Sequence, residues 1–460
     1  MLDFFTARAT SSTHKIHVVT SRGRTKWLAS LPKAASAWLK TTGFRAKDGE
    51  IALIPARDGK LWGVAVGVGD AGSPWSFAGL PRRLPAGRYV LASLSPELAP
   101  HAALGWALGC YRYDRYRSKP GDDKLPTLVF PDGVDEADVT RRYEGTALGR
   151  DLITTPANDL GPAELAQAVR DLGKRHGAKV TVIKGNALLE KGYPAIHAVG
   201  RAASRPPHLA DLVWGDAAAP RLTLVGKGVV FDSGGLDLKN AAGMRLMKKD
   251  MGGAASVLAL AHMVMDAQLP VRLRVLVPTV ENAVSGDAYR PGDVIDTRKG
   301  LKVEIGNTDA EGRVILCDAL AEADSENPDV IIDFATLTGA ARVALGTELP
   351  ALFATDDELA NAVLDAGVAG HDPMWRMPLH QPYRRHLDSP IADLNNISKV
   401  STGGAITAAL YLQSFVSSGR NWAHVDTMAY NSSSRPGRPE GGEIFGARAF
   451  FDALQARYVG

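Results

Sequence analysis

The sequence predicts an α/β protein of two domains: a small α/β N-terminal domain, and a larger domain with a mainly parallel or mixed central sheet flanked by helices. Three observations lead there. A chain of 460 residues exceeds what one ordinary core organises. From about residue 162, near-continuous Val/Ile/Leu runs alternate with helical patterns, as in sheets covered on both faces. Charge is also uneven. Residues 1–130 hold 19 Lys and Arg against 9 Asp and Glu, a net +10, which leaves −7 for the remainder of a chain whose total is +3.

Residues 1–130 form the expected N-terminal domain. Its strands are "HKIHVV", "EIALIPA", "LWGVAVGVG" and "GRYVLAS", followed by a helix over "PELAPHAALGWALGCYRYDRYR". The connector "SKPGDDKLP" and a last strand, "TLVFPDG", close it. Residues 131–152 are read as a charged connecting helix, centred on "EADVTRRYEGTALGRDL". The larger domain then spans 153–460. After the turn chemistry of "TTPANDLGP" come helix "AELAQAVRDLGKRHG", strand "KVTVIKG", strand "RLTLVGKGVVF" and helix "GGAASVLALAHMVMDAQL". Strand "VRLRVLVPTV", helix "RVILCDALAEADSEN" and strand "DVIIDFATL" follow.

Several function classes lack support. No apolar run reaches membrane-spanning length, and "MLDFFTARAT" has neither the basic start nor the apolar stretch of a signal peptide. Cys110 and Cys317 are the only cysteines, expected reduced and buried in a cytoplasmic protein. "GVGDAG" matches a dinucleotide fingerprint, but the prolines of "SPWSFAGLPRRLP" are expected to leave no helix N-terminus for a pyrophosphate. Neither a Walker A motif, nor H-E-x-x-H, nor G-x-S-x-G occurs.

Polar residues gather instead at strand ends of the larger domain, where ligands of such sheets bind. "LVGKGVVFDSGGLDLK" sets Lys227, Asp232 and Lys239 around a Gly-Gly turn, and "GMRLMKKDMGGAAS" puts Asp250 before a Gly/Ala-rich helix. "GNTDAEGR" supplies Asp309, Glu311 and Arg313, and "ATLTGA" supplies Thr336, Thr338 and Gly339. Singly, each has a structural explanation: Asp250 an N-cap, Asp309 and Glu311 complements of a helix dipole, Lys227 a surface lysine. As a set they fit less well. Lys227 lies between glycines in an apolar strand, and in an extended segment Asp309, Glu311 and Arg313 share one side. Four carboxylates at adjacent strand ends repel unless cations intervene. Oxygen-rich clusters suit Mg2+, Mn2+ or Zn2+. Four acids exceed the need of one ion, so two metals about 3.5–4 Å apart are expected. Lys239 and Arg313 then serve to stabilise an oxyanion or hold a small anion. This chemistry reaches a two-metal hydrolase and leaves phosphoesters and peptides equally open.

The same blocks carry a resemblance that selects between them. "VGKGVVFDSGG", Lys239, "GM…MKKDMGGAA", "NTDAEGR" and "ATLTGA" resemble, in order, the motifs of the leucyl (cytosol) aminopeptidases, the M17 metallopeptidases. "TTPANDLGP" and "GGAITAALYLQSF" are similar to further blocks, so the likeness spans residues 145–450, with a looser one in 1–130 through "GWALGCYRYDRY". The resemblance implies a metal-dependent aminopeptidase acting on peptides with a free N-terminus, with two divalent ions (Mn2+ or Zn2+, with Mg2+ or Co2+ as further candidates). Asp232 and Glu311 would bridge the ions, Asp309 would complete the exchangeable site, and Lys227 and Asp250 the tighter one. Lys239 would steady the tetrahedral oxyanion, and Arg313 would hold a bicarbonate ion as general base. Met247, Thr336, Leu337, Gly339 and Met428 would wall the pocket for the first side chain. A homohexamer is implied as well. Two positions depart from the pattern: Gly252 where Cys is frequent, and Met428 where a small residue is usual, which narrows the expected pocket. An additional DNA-binding role through the basic N-terminal domain is the alternative from another class.

Overall fold

The alternating apolar segments of the N-terminal part build a six-stranded sheet in the order Phe5–Thr6, Thr127–Val129, Arg88–Ala92, His14–Val19, Leu61–Gly67, Ile51–Pro55. Neighbours run parallel except for the last pair. This is a computed structural model, and it describes residues 1–119 and 124–459; residues 120–123 of the expected connector "SKPGDDKLP" lie outside the described residues. Ile16, Val64, Val66, Phe77, Tyr89, Trp106 and Leu128 fill the core of this unit, which comprises Met1–Glu144 together with Ser433–Glu440. The returning segment is seated within it: the Arg438 guanidinium lies 3.8 Å from the Trp75 ring centroid.

Two expectations change here. The long helix ends early, covering Ala99–Cys110. Arg82 accounts for the stop, because its guanidinium donates to the carbonyls of Gly109, Cys110 and Tyr111 and so satisfies groups left free where a helix ends. The prolines after "GVGDAG" do not prevent a helix either. Pro74–Ala78 is helical, with Pro74 in the first turn, where its missing N–H has no partner to lose, and with a Ser73/Ser76 capping box.

The second unit comprises Gly145–Ser432 and Gly441–Gly460. Its nine-stranded sheet has four parallel central strands, in the order Trp422–Asp426, Val330–Ala335, Arg221–Gly226, Arg272–Asn282. Antiparallel neighbours flank them, His208–Trp214 on one side and Ala351–Ala354 on the other, so the sheet is mixed. Helix Gly252–Asp266 packs on one face and is buried through Met265, consistent with its being apolar all round. Helix Glu311–Ser325 belongs to the other face, in the cluster that contains Val314, Ile315, Leu320 and Trp422. Cys110 and Cys317 are free and buried. No helix among the described residues is long and apolar enough to cross a membrane.

The single strand expected over "RLTLVGKGVVF" is two strands, Arg221–Gly226 and Gly228–Asp232, broken at Lys227. The first lies between Val330–Ala335 and Arg272–Asn282, while the second pairs with the far end of Arg272–Asn282. At the break, the Lys227 N–H donates to the Phe334 carbonyl at 3.0 Å, and the Lys227 carbonyl accepts from Ala254 N–H at 2.8 Å. The lysine is thus held where the parallel strands end and helix Gly252–Asp266 begins.

Candidate active site

Lys227 is only 3% exposed. Its ammonium lies 2.7 Å from Asp250 Oδ2 and 2.8 Å from Glu311 Oε1, and donates to the Thr336 carbonyl at 3.1 Å. Glu311 opens its helix, and Gly312 follows because space demands it: a Cβ there would stand 2.6 Å from Lys227 Nζ. Asp250 lies in a 3-10 turn, Met247–Met251, and does not cap the helix after it. Its Oδ1 accepts from the Thr336 hydroxyl at 2.8 Å instead.

Asp232 ends its strand and turns through Gly234 (φ +89°) and Gly235 (φ +66°), a left-handed pair that residues with a Cβ rarely adopt. Its Oδ1 accepts from Gly234 N–H and Asn282 Nδ2, each at 2.8 Å, and its Oδ2 lies 2.8 Å from Lys239 Nζ. Lys239 also pairs with Asp309. Carboxylate oxygens of Asp232, Asp309 and Glu311 lie within 4.8 Å of one another.

"GNTDAEGR" is not extended. It is a turn followed by the first turn of a helix, with Asp309 before Ala310 and Glu311 after it. Asp309 and Glu311 therefore converge through the turn rather than by strand alternation. The Asp309 N–H donates to Asn307 Oδ1 at 2.6 Å, and Thr308 ties the loop to the Asp232 turn by donating to the Gly234 carbonyl at 2.6 Å. Arg313 diverges from the two acids. It is 8% exposed, and its Nη1 donates to the Asn396 carbonyl at 2.8 Å while Nε has no hydrogen-bond partner among the described residues.

The electrostatics favour a bound cation. Four carboxylates (Asp232, Asp250, Asp309, Glu311) face two ammoniums (Lys227, Lys239), an excess of two negative charges in a largely buried place. Burial, then the neighbouring Asp250 charge, pushes Asp232 up to about 6. Burial and the Asp232 charge push Glu311 well above the carboxylate range. Apart from the ammonium contacts, Asp250 Oδ2, Asp309 Oδ1 and both Glu311 oxygens have no hydrogen-bond partner among the described residues. Buried oxygens so placed are suited to divalent ions. Lys227 is held protonated here, the carboxylates outweighing a burial effect that works the other way. Ligation of a metal requires its neutral amine, which a nearby dication favours.

Residues 147–451 match the profile of the catalytic domain of the cytosol aminopeptidase family, and residues 16–131 match that of the M17 aminopeptidase N-terminal domain. The chain belongs to the cytosol aminopeptidase family. It is accordingly a metal-dependent exopeptidase of the M17 type. A probable cytosol aminopeptidase of Roseiflexus castenholzii is 41% identical over 383 residues, covering 80% of this chain and 78% of the relative. One from Rhodococcus opacus is 40% identical over 423 residues, covering 86% and 83%. Among solved structures, the cytosol aminopeptidase from Coxiella burnetii is 50% identical, with a TM-score of 0.95 over 99% of this chain and 100% of the other. The bottromycin maturation enzyme BotP in complex with Mn is 36% identical, with a TM-score of 0.87 over 97% and 100%.

Beside the acid cluster this aminopeptidase has a cavity of about 350 Å³ that Met247, Met428, Lys239 and Asp309 help to line. Thr336, Leu337 and Gly339 are not in its lining. The Thr336 hydroxyl serves Asp250, the Leu337 N–H donates to Asp426 Oδ1 at 3.0 Å, and Gly339 opens helix Gly339–Leu345. The sequence did not single out the two further charged lining residues, Lys249 and Arg342, nor the residues that hold the site from behind, Asn282, Thr308, Asn396 and Asp426. Lys249 stood in plain view within "MKKD", as a charged residue beside a candidate ligand. Nothing local distinguishes Asn396, whose role depends on a loop meeting another about 90 residues away.

Proposed function

We propose that this aminopeptidase removes the first residue from peptides with a free N-terminus by using two divalent ions held by Lys227, Asp232, Asp250, Asp309 and Glu311. The observation that carries the reading is the excess of four clustered carboxylates over two ammoniums, with buried oxygens that have no hydrogen-bond partner among the described residues beyond those ammonium contacts. When bound, the ions polarise the scissile carbonyl and lower the pKa of water, so that a nucleophile forms near neutral pH. Lys239, 15% exposed on its side chain and beside both Asp232 and Asp309, is placed to stabilise negative charge as it develops on the carbonyl oxygen. Arg313 is a buried guanidinium whose one hydrogen bond among the described residues goes to the Asn396 carbonyl, a setting that suits a small anion; we assign it a bicarbonate ion, which would serve as general base toward the attacking water. Met247 and Met428 bound the space for the first side chain. Mn2+ or Zn2+ are the ions we expect, with Mn2+ favoured by the BotP complex. The protein is taken to act in the cytoplasm as a homohexamer.

Removal of metal by a chelator should abolish hydrolysis of aminoacyl-anilides, and Mn2+ or Zn2+ should restore it. Full turnover by protein shown free of metal by elemental analysis would overturn the mechanism.

A further inference from the structure

The cavity beside the acid cluster carries two cations that the metal centre does not use. Lys249 is 3% exposed and lines the cavity, yet its side chain makes no hydrogen bond or ion pair among the described residues. Arg342 is half-buried on the opposite helix, Gly339–Leu345; its Nη1 lies 3.4 Å from Met428 Sδ, and it too has no ion pair among the described residues. The carboxylates that act on Lys249 are committed elsewhere. Asp250 is taken by Lys227 and Thr336. Asp426 accepts from Leu337 N–H, Thr338 N–H and the Thr338 hydroxyl. Asp309, the acid in the lining, is paired with Lys239.

A largely buried ammonium without a partner is costly. An aliphatic side chain entering this space would remove water from Lys249 and Arg342 and return no hydrogen bond. A carboxylate would pair with both, and a guanidinium offers it a two-pronged fit. The apolar part of such a side chain has Leu246, Met247 and Met428 to lie against.

We infer that this cavity receives the side chain of the first residue of the substrate, and that it favours an acidic one, Glu or Asp. Arg342 pairs with the carboxylate, Lys249 is a second donor, and Met428 supports the Arg342 guanidinium. The inference rests on the aminopeptidase chemistry proposed above and adds the substrate class.

The test uses the full chain loaded with Mn2+ and anilides of Glu, Gln, Leu and Lys. Glu and Gln have nearly the same shape, so their ratio of kcat/KM isolates the charge. The expected ratio is roughly 10–100-fold in favour of Glu, the range of one charged hydrogen bond. Arg342→Met should bring it close to unity, and Arg342→Glu should place Lys above Glu. Turnover of Leu and Gln with Glu no better than Gln overturns the inference and leaves the aminopeptidase reading standing. Failure to hydrolyse any of the four overturns both. Should the Arg342 variants not fold, inhibition of the wild type by free glutamate against free glutamine makes the same comparison, and equal inhibition overturns the inference.

Discussion

Lys239 touches two carboxylates and borders the cavity, so its removal separates two possible jobs. If it stabilises charge in the transition state, Lys239→Ala should lower kcat by roughly 10²–10³-fold while metal content stays near that of the wild type. Loss of metal with activity would make Lys239 a structural member of the site. Met428 offers a second separation. It is buried, lines the cavity and lies against Arg342. Met428→Ala should raise kcat/KM for Leu and Phe relative to Ala, by about 1–3 kcal/mol at most, because a flexible methionine can fold aside. An unchanged ranking across Ala, Met, Leu and Phe substrates would show that Met428 does not limit the pocket.

Two of the central parallel strands are joined by a buried polar set. Asp333 Oδ2 accepts from Trp422 Nε1 at 2.7 Å, and Oδ1 lies 2.6 Å from His424 Nδ1. All three side chains are fully buried. Burial is the largest single influence on His424 and lowers its pKa, but the Asp333 charge, its hydrogen bond and the Asp426 charge together outweigh it, and the value rises above 6.5. The folded protein therefore holds this proton more tightly than the unfolded chain does. Its stabilisation is complete below about pH 6.5 and is lost as pH rises through the folded-state value. The denaturation midpoint of the wild type should thus fall as pH is raised from 6.5, and Asp333→Asn should remove much of that slope. Equal slopes in the two proteins would show that His424 is not the group responsible. Asp333 also marks the limit of what the sequence discloses at this scale. The run "DVIIDFATL" is legible as a strand from its apolar residues, whereas the acid within it reads as an interruption until the neighbouring strand supplies His424 and Trp422. The metal-ligand candidates follow the same rule. Lys227 is conspicuous because a charge between glycines in an apolar run has no packing reason, and Asp232 because it closes that run just before a Gly-Gly turn. The convergence of Asp309 with Glu311 comes from a turn that the extended reading does not anticipate, and Arg342 lies in a helix whose placement only the tertiary fold provides.

For the molecule as a whole, the surplus of basic residues in positions 1–130 invites one direct experiment. If it serves nucleic acid, a gel-shift titration will show binding at low salt that weakens steeply as salt is raised. No shift at low salt disposes of that role and leaves the charge as a solvated surface. Light scattering settles the assembly in the same preparation, a mass six times that of the chain being expected. The segment Ser433–Glu440 has a different kind of consequence. It is grouped with the N-terminal unit, where Arg438 covers Trp75. A ribosome releases this chain from the amino end, so the unit encoded first is completed almost last. At roughly 5–20 residues per second, the interval between emergence of Glu144 and of Glu440 is on the order of 15–60 s. Throughout that time the Trp75 ring is left without the Arg438 guanidinium that covers it in the folded protein.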